Sequence, residues 1–294
     1  MASIRSILMR EQIRLLKPLI SKLSIESNRA AQDRVGQMGA RALVGKVDFE
    51  TISFETFSAE WITPKEETRE DEKVILYLHG GGYTAGGLSY ARGFGSVLCS
   101  TVNCPVLAAA YRLAPENPFP AAVEDAFSAY QYLLEKGHAA EDIYLAGESA
   151  GGGLVFCLVH DLKQKKMPLP GKIVAISPWA DLGMTGKTYE ENERRDPSLS
   201  RERLSHYAEV YARGDVKNPL ISPIYGDFTG FPPAYIFAGS YEMLLDDAKE
   251  IAQGYQKADA PCTLHIEEGL WHVYVLFGIP EARQALSEIE AFLK

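Results

Sequence analysis

From residue 74 onward, short runs of apolar residues alternate with longer segments in which apolar residues recur every three or four positions. The short runs, which predict buried strands, are 74–78, 106–110, 143–146, 173–176, 234–238 and 263–267. The periodic segments predict helices at 120–134, 149–162, 244–257 and 279–293. Such alternation is typical of an α/β protein with a mostly parallel central sheet flanked by helices. Earlier runs at 47–54 and 60–62 predict antiparallel edge strands.

The region between the predicted strands 173–176 and 234–238 does not follow this alternation. It spans the 57 residues from 177 to 233, and an unstructured segment of that length is improbable inside a compact domain. Apolar and aromatic residues within it, Tyr189 and Leu204 among them, predict helices. We therefore interpret residues 181–224 as an inserted helical cap, which separates the catalytic domain into parts at 46–180 and 225–294.

The N-terminus predicts an amphipathic helix. A single apolar stripe at helical spacing is formed by Met9, Ile13, Leu16, Ile20 and Leu23. Pro18 is expected to kink or end the helix, and charged residues interrupt every apolar run, so a signal-peptide core is missing. We interpret residues 1–45 as an N-terminal helical cap segment, which packs on its own protein or covers a substrate cavity. A helix lying on a membrane surface fits less well, because the chain is acidic.

Composition and charge narrow the class of protein. The 294 residues are 46% apolar and 23% charged, as in globular proteins, and the formal net charge is −9. Nucleic acid and anionic membrane need a basic face, so neither is expected as a partner. The four cysteines, at 99, 104, 157 and 262, contain no Cys-x-x-Cys pair, which argues against a metal site or a disulfide framework and favours a reduced, cytoplasmic location. The oligomeric state stays open, a homo-oligomer included.

The strongest chemical motif lies between a predicted strand and a predicted helix. Residues 147–151 read Gly-Glu-Ser-Ala-Gly, which matches the G-x-S-x-G nucleophile elbow. In that motif a sharp strand-to-helix turn exposes the serine hydroxyl, and the flanking glycines avoid collisions with neighbouring backbone. The following helix places its positive dipole end where negative charge develops. The pattern therefore predicts Ser149 as a nucleophile.

A second motif directly follows the predicted strand 74–78. His79 precedes three consecutive glycines and Tyr83, and glycines expose backbone N–H groups that can form an oxyanion hole. A tight turn without function is the simpler alternative. A phosphate-binding loop would need a Lys-Ser/Thr pair or G-x-G-x-x-G spacing, and the sequence has neither.

The base and the acid are assigned by chain order. A triad histidine in a G-x-S-x-G hydrolase follows the last strand, and among six histidines only His272 lies there. The acid is expected after the strand 234–238, where Glu242 is nearest the strand end. Asp246 is the rival, although its position beside Asp247 suits the first turn of a helix, where carboxylates favour the dipole.

Taken in order, five motifs resemble the hormone-sensitive-lipase family of α/β-hydrolases. They are HGGGY at 79–83, YRLAPE at 111–116, FPAAVEDA at 119–126, GESAG at 147–151 and SPWADL at 177–182. The resemblance covers about residues 74–294 and implies a bacterial-type carboxylesterase of the α/β-hydrolase fold, with no cofactor or metal. It also implies that Gly81, Gly82 and Ala150 supply the oxyanion N–H groups. Two departures stand out, since Glu148 and Glu242 occupy positions where the family commonly has aspartate.

These features predict a serine carboxylesterase that hydrolyses short- to medium-chain acyl esters of small molecules through a Ser-His-Glu triad and an acyl-enzyme. The residues expected to wall its pocket are Tyr83, Trp271, Val273, Tyr207 and Tyr211. An amidase or formamidase with the same triad is an alternative. A non-catalytic receptor, of the kind plant gibberellin receptors form on this fold without the histidine, is disfavoured by His272.

Overall fold

A single sheet organises the chain. The computed structural model describes residues 2–20, 22–66 and 72–294, and within them eight strands pair in the order β1-β2-β4-β3-β5-β6-β7-β8. The strands are β1 (Val47–Ser53), β2 (Ser58–Pro64), β3 (Val74–Leu78), β4 (Val106–Ala110), β5 (Ile143–Glu148), β6 (Lys172–Ile176), β7 (Ala234–Gly239) and β8 (Cys262–Glu267). The pairs β1–β2 and β2–β4 are antiparallel, and all others are parallel. The predicted α/β-hydrolase architecture with a mostly parallel sheet is confirmed.

Helices cover both faces of the sheet. They are α1 (Ile4–Ile20), α2 (Ile25–Arg41), α3 (Leu88–Val102), α4 (Ala121–Glu135), α5 (Ala150–Gln164), α6 (Thr188–Glu191), α7 (Arg201–Ala212), α8 (Leu245–Lys257) and α9 (Pro280–Leu293). Alternate side chains of β3 enter different cores, because successive residues of a strand point to opposite faces. Leu76 packs with α4 and α5, whereas Tyr77 packs with α3 and α9. None of these helices is long and apolar enough to cross a membrane.

One predicted element needs correction, and one helix was not predicted. The run at 60–62 belongs to β2, which lies inside the sheet between β1 and β4, so only β1 is an edge strand at this end. Helix α3 was not predicted, because its small residues obscure the apolar period. The N-terminal helix ends at Ile20, two residues after Pro18, as expected of a proline beyond the first turn of a helix.

The topology brings the predicted chemistry to one edge of the sheet. Parallel strands end at the same side, and ligands of open α/β sheets bind there. The glycine loop follows β3, Ser149 follows β5, Glu242 follows β7 and His272 follows β8. Helices α6 and α7 connect β6 to β7, and α1 is tied to the α6–α7 connection by Lys17, whose ammonium donates to the carbonyls of Glu193 and Asp196. The N-terminal segment and the β6–β7 connection thus lie together above that edge.

Candidate active site

Ser149 sits in a strained turn between β5 and α5. Its φ and ψ are 54° and −121°, a left-handed backbone conformation that is costly for a residue with a side chain. The turn is held by the Ser149 N–H, which donates to the carbonyl of Ile176 at 2.9 Å. At Gly151 a Cβ atom would lie 2.0 Å from the Leu78 carbonyl oxygen, so this close approach of β3 requires glycine. The turn presents the Ser149 hydroxyl above the sheet edge.

A continuous hydrogen-bond chain joins the serine, the histidine and the glutamate. The Ser149 Oγ lies 2.9 Å from His272 Nε2, and His272 Nδ1 lies 3.1 Å from Glu242 Oε2. An ionised carboxylate can only accept, so Nδ1 carries the hydrogen and Nε2 of the neutral ring is free to accept from the hydroxyl. This is the tautomer that a general base beside a serine nucleophile requires.

Glu242 is buried and held by more than the histidine. Its Oε1 accepts from the Gly239 N–H at 2.9 Å, at the end of β7. Burial raises the pKa of Glu242, and the hydrogen bond and charge of His272 oppose that rise. Asp246 lies elsewhere: it accepts from the Thr188 N–H at 3.1 Å and pairs with Lys249 at 3.1 Å. The structure thus brings Glu242, and not Asp246, to the histidine.

Three backbone amides lie close to the nucleophile: Gly81 and Gly82 line the cavity that contains Ser149, and Ala150 directly follows Ser149 in the chain. Gly81 and Gly82 have φ values of 114° and 63°, which glycine adopts at little cost, and Ala150 is the first residue of α5. Within the described part of the chain their N–H groups donate no hydrogen bond. Unengaged donors beside a nucleophile are what an oxyanion requires, so the geometry suits the roles that the family resemblance implies for these residues.

Glu148 connects the nucleophile turn to the glycine loop. Its Oε1 accepts from the Gly80 N–H at 2.6 Å and from the Tyr90 hydroxyl at 3.2 Å, and its Oε2 accepts from the Tyr77 hydroxyl at 2.7 Å. Burial raises the pKa of Glu148 to about 7, against the effect of these three donors. Burial therefore favours the protonated form of this carboxyl, and ionisation of the group is a cost to the folded state.

Replacement of Glu148 by glutamine should remove a pH dependence of stability. The folded state binds more protons than the unfolded state between the ordinary pKa of 4.5 and the raised value of about 7, so the free energy of unfolding falls as pH rises through this window. Glutamine resembles the protonated acid and does not ionise. We expect the free energy of unfolding of Glu148→Gln minus that of the wild type to rise by about 2–3 kcal/mol from pH 5 to pH 8. Urea unfolding of both proteins at both pH values measures this difference. An equal difference at the two pH values would contradict the raised pKa.

The serine and histidine open into a cavity of about 160 Å³. Its lining comes from the glycine loop, the nucleophile turn, α1, α2, α3, the β6–β7 connection and the segment after β8. The lining residues are Ile20, Asn28, Gln32, Gly81, Gly82, Tyr90, Glu148, Ser149, Trp179, Ser198, Leu199, Ser200, Arg203, Leu204, Tyr207, His272 and Val273. Of the five side chains expected to wall the pocket, Tyr207 and Val273 do line it. Sequence reasoning missed Asn28, Gln32 and Arg203. The only signal for them was the expectation that residues 1–45 and 181–224 form cap segments.

The other three expected pocket residues lie behind the cavity wall. Tyr83 and Tyr211 stack on each other with ring centroids 3.8 Å apart, and both are almost wholly buried in the core. Trp271 is fully buried and packs edge-on against Phe277. None of the three lines the cavity that contains Ser149. The shape of this cavity therefore gives no support to the prediction that Tyr83, Tyr211 and Trp271 contact the substrate.

The described residues offer little to a metal ion. Within 2–20, 22–66 and 72–294, no group of three or more His, Cys, Asp or Glu side chains is arranged to hold one. The four cysteines are thiols and not disulfides, and burial raises the pKa of Cys99 and of Cys262 to about 12. Because the thiolate is the metal ligand and nucleophile, these two thiols are poorly suited to either role.

Comparison with known proteins identifies the class first. A family model described as the alpha/beta hydrolase fold matches residues 75–276, and the chain belongs to that family. An acetyl-hydrolase from Streptomyces hygroscopicus is 40% identical over 273 residues, which are 92% of this chain and 90% of the relative.

Solved structures narrow the family further. An esterase from the bacterial hormone-sensitive lipase family has a TM-score of 0.90 and 34% identity, with 100% of this chain and 98% of that one covered. The esterase EstE5, soaked with p-nitrophenyl butyrate, has a TM-score of 0.92 and 30% identity, with 99% and 98% covered. Within the α/β-hydrolases this chain is thus a member of the hormone-sensitive-lipase family, a family of carboxylic ester hydrolases. The resemblance seen in the sequence motifs is confirmed.

Proposed function

We propose that this protein is a serine carboxylesterase that hydrolyses short- to medium-chain acyl esters through Ser149, His272, Glu242 and an acyl-enzyme. The observation that carries the proposal is the hydrogen-bond chain from the Ser149 hydroxyl through the His272 ring to the Glu242 carboxylate. The names of the related proteins, acetyl-hydrolase and esterase, support the same reaction.

In the first half-reaction the His272 Nε2 takes the proton of the Ser149 hydroxyl as its oxygen attacks the ester carbonyl. The carbonyl π bond breaks, and the resulting oxyanion accepts hydrogen bonds from the N–H groups of Gly81, Gly82 and Ala150. Glu242 holds the ring orientation and stabilises the imidazolium. When the tetrahedral intermediate collapses, the C–O bond to the alcohol breaks and His272 returns the proton to the leaving oxygen.

The second half-reaction repeats these steps with water. His272 Nε2 takes a proton from water, whose oxygen attacks the acyl-enzyme carbonyl, and the oxyanion occupies the same site. Collapse breaks the bond to Ser149 Oγ, which recovers a proton from His272, and the carboxylic acid leaves. Atoms and protons balance over the two half-reactions.

Cavity size supports a preference for short acyl groups. The space beside Ser149 measures about 160 Å³, and α1, α2 and α7 contribute to its wall. A longer acyl chain must displace these helices or leave some of its methylenes in water. Each methylene that does not fit lowers the preference of the enzyme for that ester by about 1–3 kcal/mol.

A series of p-nitrophenyl esters from acetate to decanoate tests the proposal. We expect kcat/KM to be greatest between acetate and hexanoate and to fall by about tenfold or more at octanoate and decanoate. p-Nitroacetanilide, measured beside the acetate, tests the amidase alternative: a higher kcat/KM on the anilide would replace the esterase assignment. If no ester in the series is turned over, the proposal is wrong and binding without catalysis becomes the better hypothesis.

A further inference from the structure

Arg203 brings a positive charge to the cavity that contains Ser149. It lies on α7 and is part of the cavity lining, together with Ser149 and His272. Its Nε donates to the Tyr207 hydroxyl at 3.0 Å, its Nη2 donates to the same hydroxyl, and its Nη1 donates to the carbonyl of Ile20. These acceptors are neutral, so the guanidinium reaches the cavity without a counter-ion among its hydrogen-bond partners.

Other arginines of this chain that lie in partly buried positions pair with carboxylates. Arg29 pairs with Glu116 at 2.7 Å, Arg92 with Glu60 at 2.6 Å, and Arg112 with Asp125 at 2.8 Å. Arg203 makes no such ion pair within the described part of the chain. A guanidinium has five N–H donors in a fixed fork that matches carboxylate and phosphate oxygens, and three contacts to two neutral oxygens leave donors for another partner.

The rest of the lining cannot serve as that partner. Among the described residues of the lining, the one carboxylate is Glu148, whose two oxygens are already engaged by Tyr77, Gly80 and Tyr90. The remaining polar groups are neutral, and among them the buried Gln32 Oε1 has no hydrogen-bond partner within the described residues. The cavity therefore contains a cation and a hydrogen-bond acceptor without a partner. Such a lining suits a polar substrate better than a plain alkyl ester.

We infer that the preferred substrate is an ester that also carries an anionic group, such as a carboxylate, which Arg203 binds while the ester carbonyl meets Ser149. This inference rests on the proposed esterase function and names the substrate class of the same site. The shared chemistry is an anion held by a guanidinium fork, whether it belongs to the acyl or to the alcohol part of the ester.

The net charge of the chain and the contact of Arg203 with Ile20 both bear on this inference. The chain has a net charge of −9, which repels anions at long range, but screening over about 8 Å at physiological ionic strength leaves a direct contact in the cavity dominant. Arg203 also donates to Ile20, the last residue of α1, where a cation favours the helix dipole. A residue that only fastens α1 to α7 would affect anionic and neutral esters alike, so substrate discrimination separates the two roles.

The test compares matched anionic and neutral esters at constant ionic strength. The alcohol arm uses 4-acetoxybenzoate and its methyl ester, and the acyl arm uses mono-p-nitrophenyl adipate and its methyl ester. In at least one arm the wild-type enzyme should show a higher kcat/KM for the anionic ester. If neither arm shows this preference while the neutral esters are hydrolysed, the inference is wrong and the esterase function stands. If neutral esters are not hydrolysed either, the esterase function itself has failed.

Arg203→Gln should lower the ratio of anionic to neutral kcat/KM by roughly 10- to 100-fold, because a charge-assisted hydrogen bond is lost. Arg203→Lys keeps the charge and should stay nearer the wild-type ratio; an equal loss in both variants would count against the inference. Arg201→Gln is the matched control, since Arg201 lies on the same helix, pairs with Glu190 and does not line the cavity, and its ratio should equal that of the wild type. An unchanged ratio in Arg203→Gln, even with both rates lowered, would show a purely structural role.

Discussion

Ser149→Ala should lower kcat on p-nitrophenyl butyrate by about 10⁶-fold, the scale of loss when the nucleophile of a serine hydrolase triad is removed. The hydroxyl oxygen forms the acyl-enzyme, and nothing else on the turn can replace it. The fold should survive, because alanine removes only the side-chain oxygen, which bonds to His272. The strained φ of 54° is as accessible to alanine as to serine. Steady-state kinetics with thermal unfolding of the same sample measures both effects.

Covalent labelling identifies the nucleophile independently of rate. An organophosphonate reacts covalently with activated serines. It should form one adduct with the wild type, at Ser149, and none with Ser149→Ala. The matched control is Ser287→Ala, whose exposed hydroxyl on α9 donates to the backbone carbonyl of Arg283 one turn earlier in the same helix; this variant should keep both the activity and the adduct. An adduct that maps to a different serine would overturn the assignment.

The sheet and the order of catalytic motifs were predictable because they depend on local patterns. Buried parallel strands are nearly continuous apolar runs, and β3 coincides with its predicted run at 74–78. The motif at 147–151 needs a strand before it and a helix after it, and β5 and α5 supply them. Because these strands are parallel, the ends of β3, β5, β7 and β8 lie at one edge of the sheet. Local sequence motifs after each strand were therefore enough to predict which residues meet there.

What could not be predicted depends on contacts between distant segments. Helix α3 contains Gly93, and a Cβ there would lie 2.6 Å from the Cα of Gly36 on α2. The glycine weakens the helical signal yet allows two helices to pack closely. Asn28, Gln32 and Arg203 likewise reach the cavity only because α2 and α7 fold over the sheet. The residues next to them in the sequence do not predict this position. The same holds for Tyr83 and Tyr211, whose mutual stacking removed them from the pocket.

Glu242→Gln should lower kcat by about 10⁴-fold, the scale on which an acid-to-amide change in a serine protease triad acts. The amide oxygen can keep the bond from the Gly239 N–H, which places the amide nitrogen against His272 Nδ1. That nitrogen donates, so Nδ1 must accept and Nε2 carries the hydrogen, which leaves it unable to accept from Ser149. The imidazolium also loses its counter-charge. Because burial raises the pKa of Glu242, removal of the charge should not lower the free energy of unfolding appreciably.

Asp246→Asn is the matched variant, since it makes the same change of one oxygen to an amide nitrogen on the same loop-to-helix segment. Asp246 is in the first turn of α8 and bonds with Thr188 and Lys249, so its loss should cost a few tenths of a kcal/mol in stability and less than about threefold in kcat. A glutamate can serve where the family commonly has aspartate because its carboxylate, at the end of β7, reaches Nδ1 at 3.1 Å. Side-by-side kcat values decide between the two acids: a larger loss in Asp246→Asn than in Glu242→Gln would mean that the catalytic carboxylate is Asp246 and that the side-chain arrangement around His272 differs during turnover.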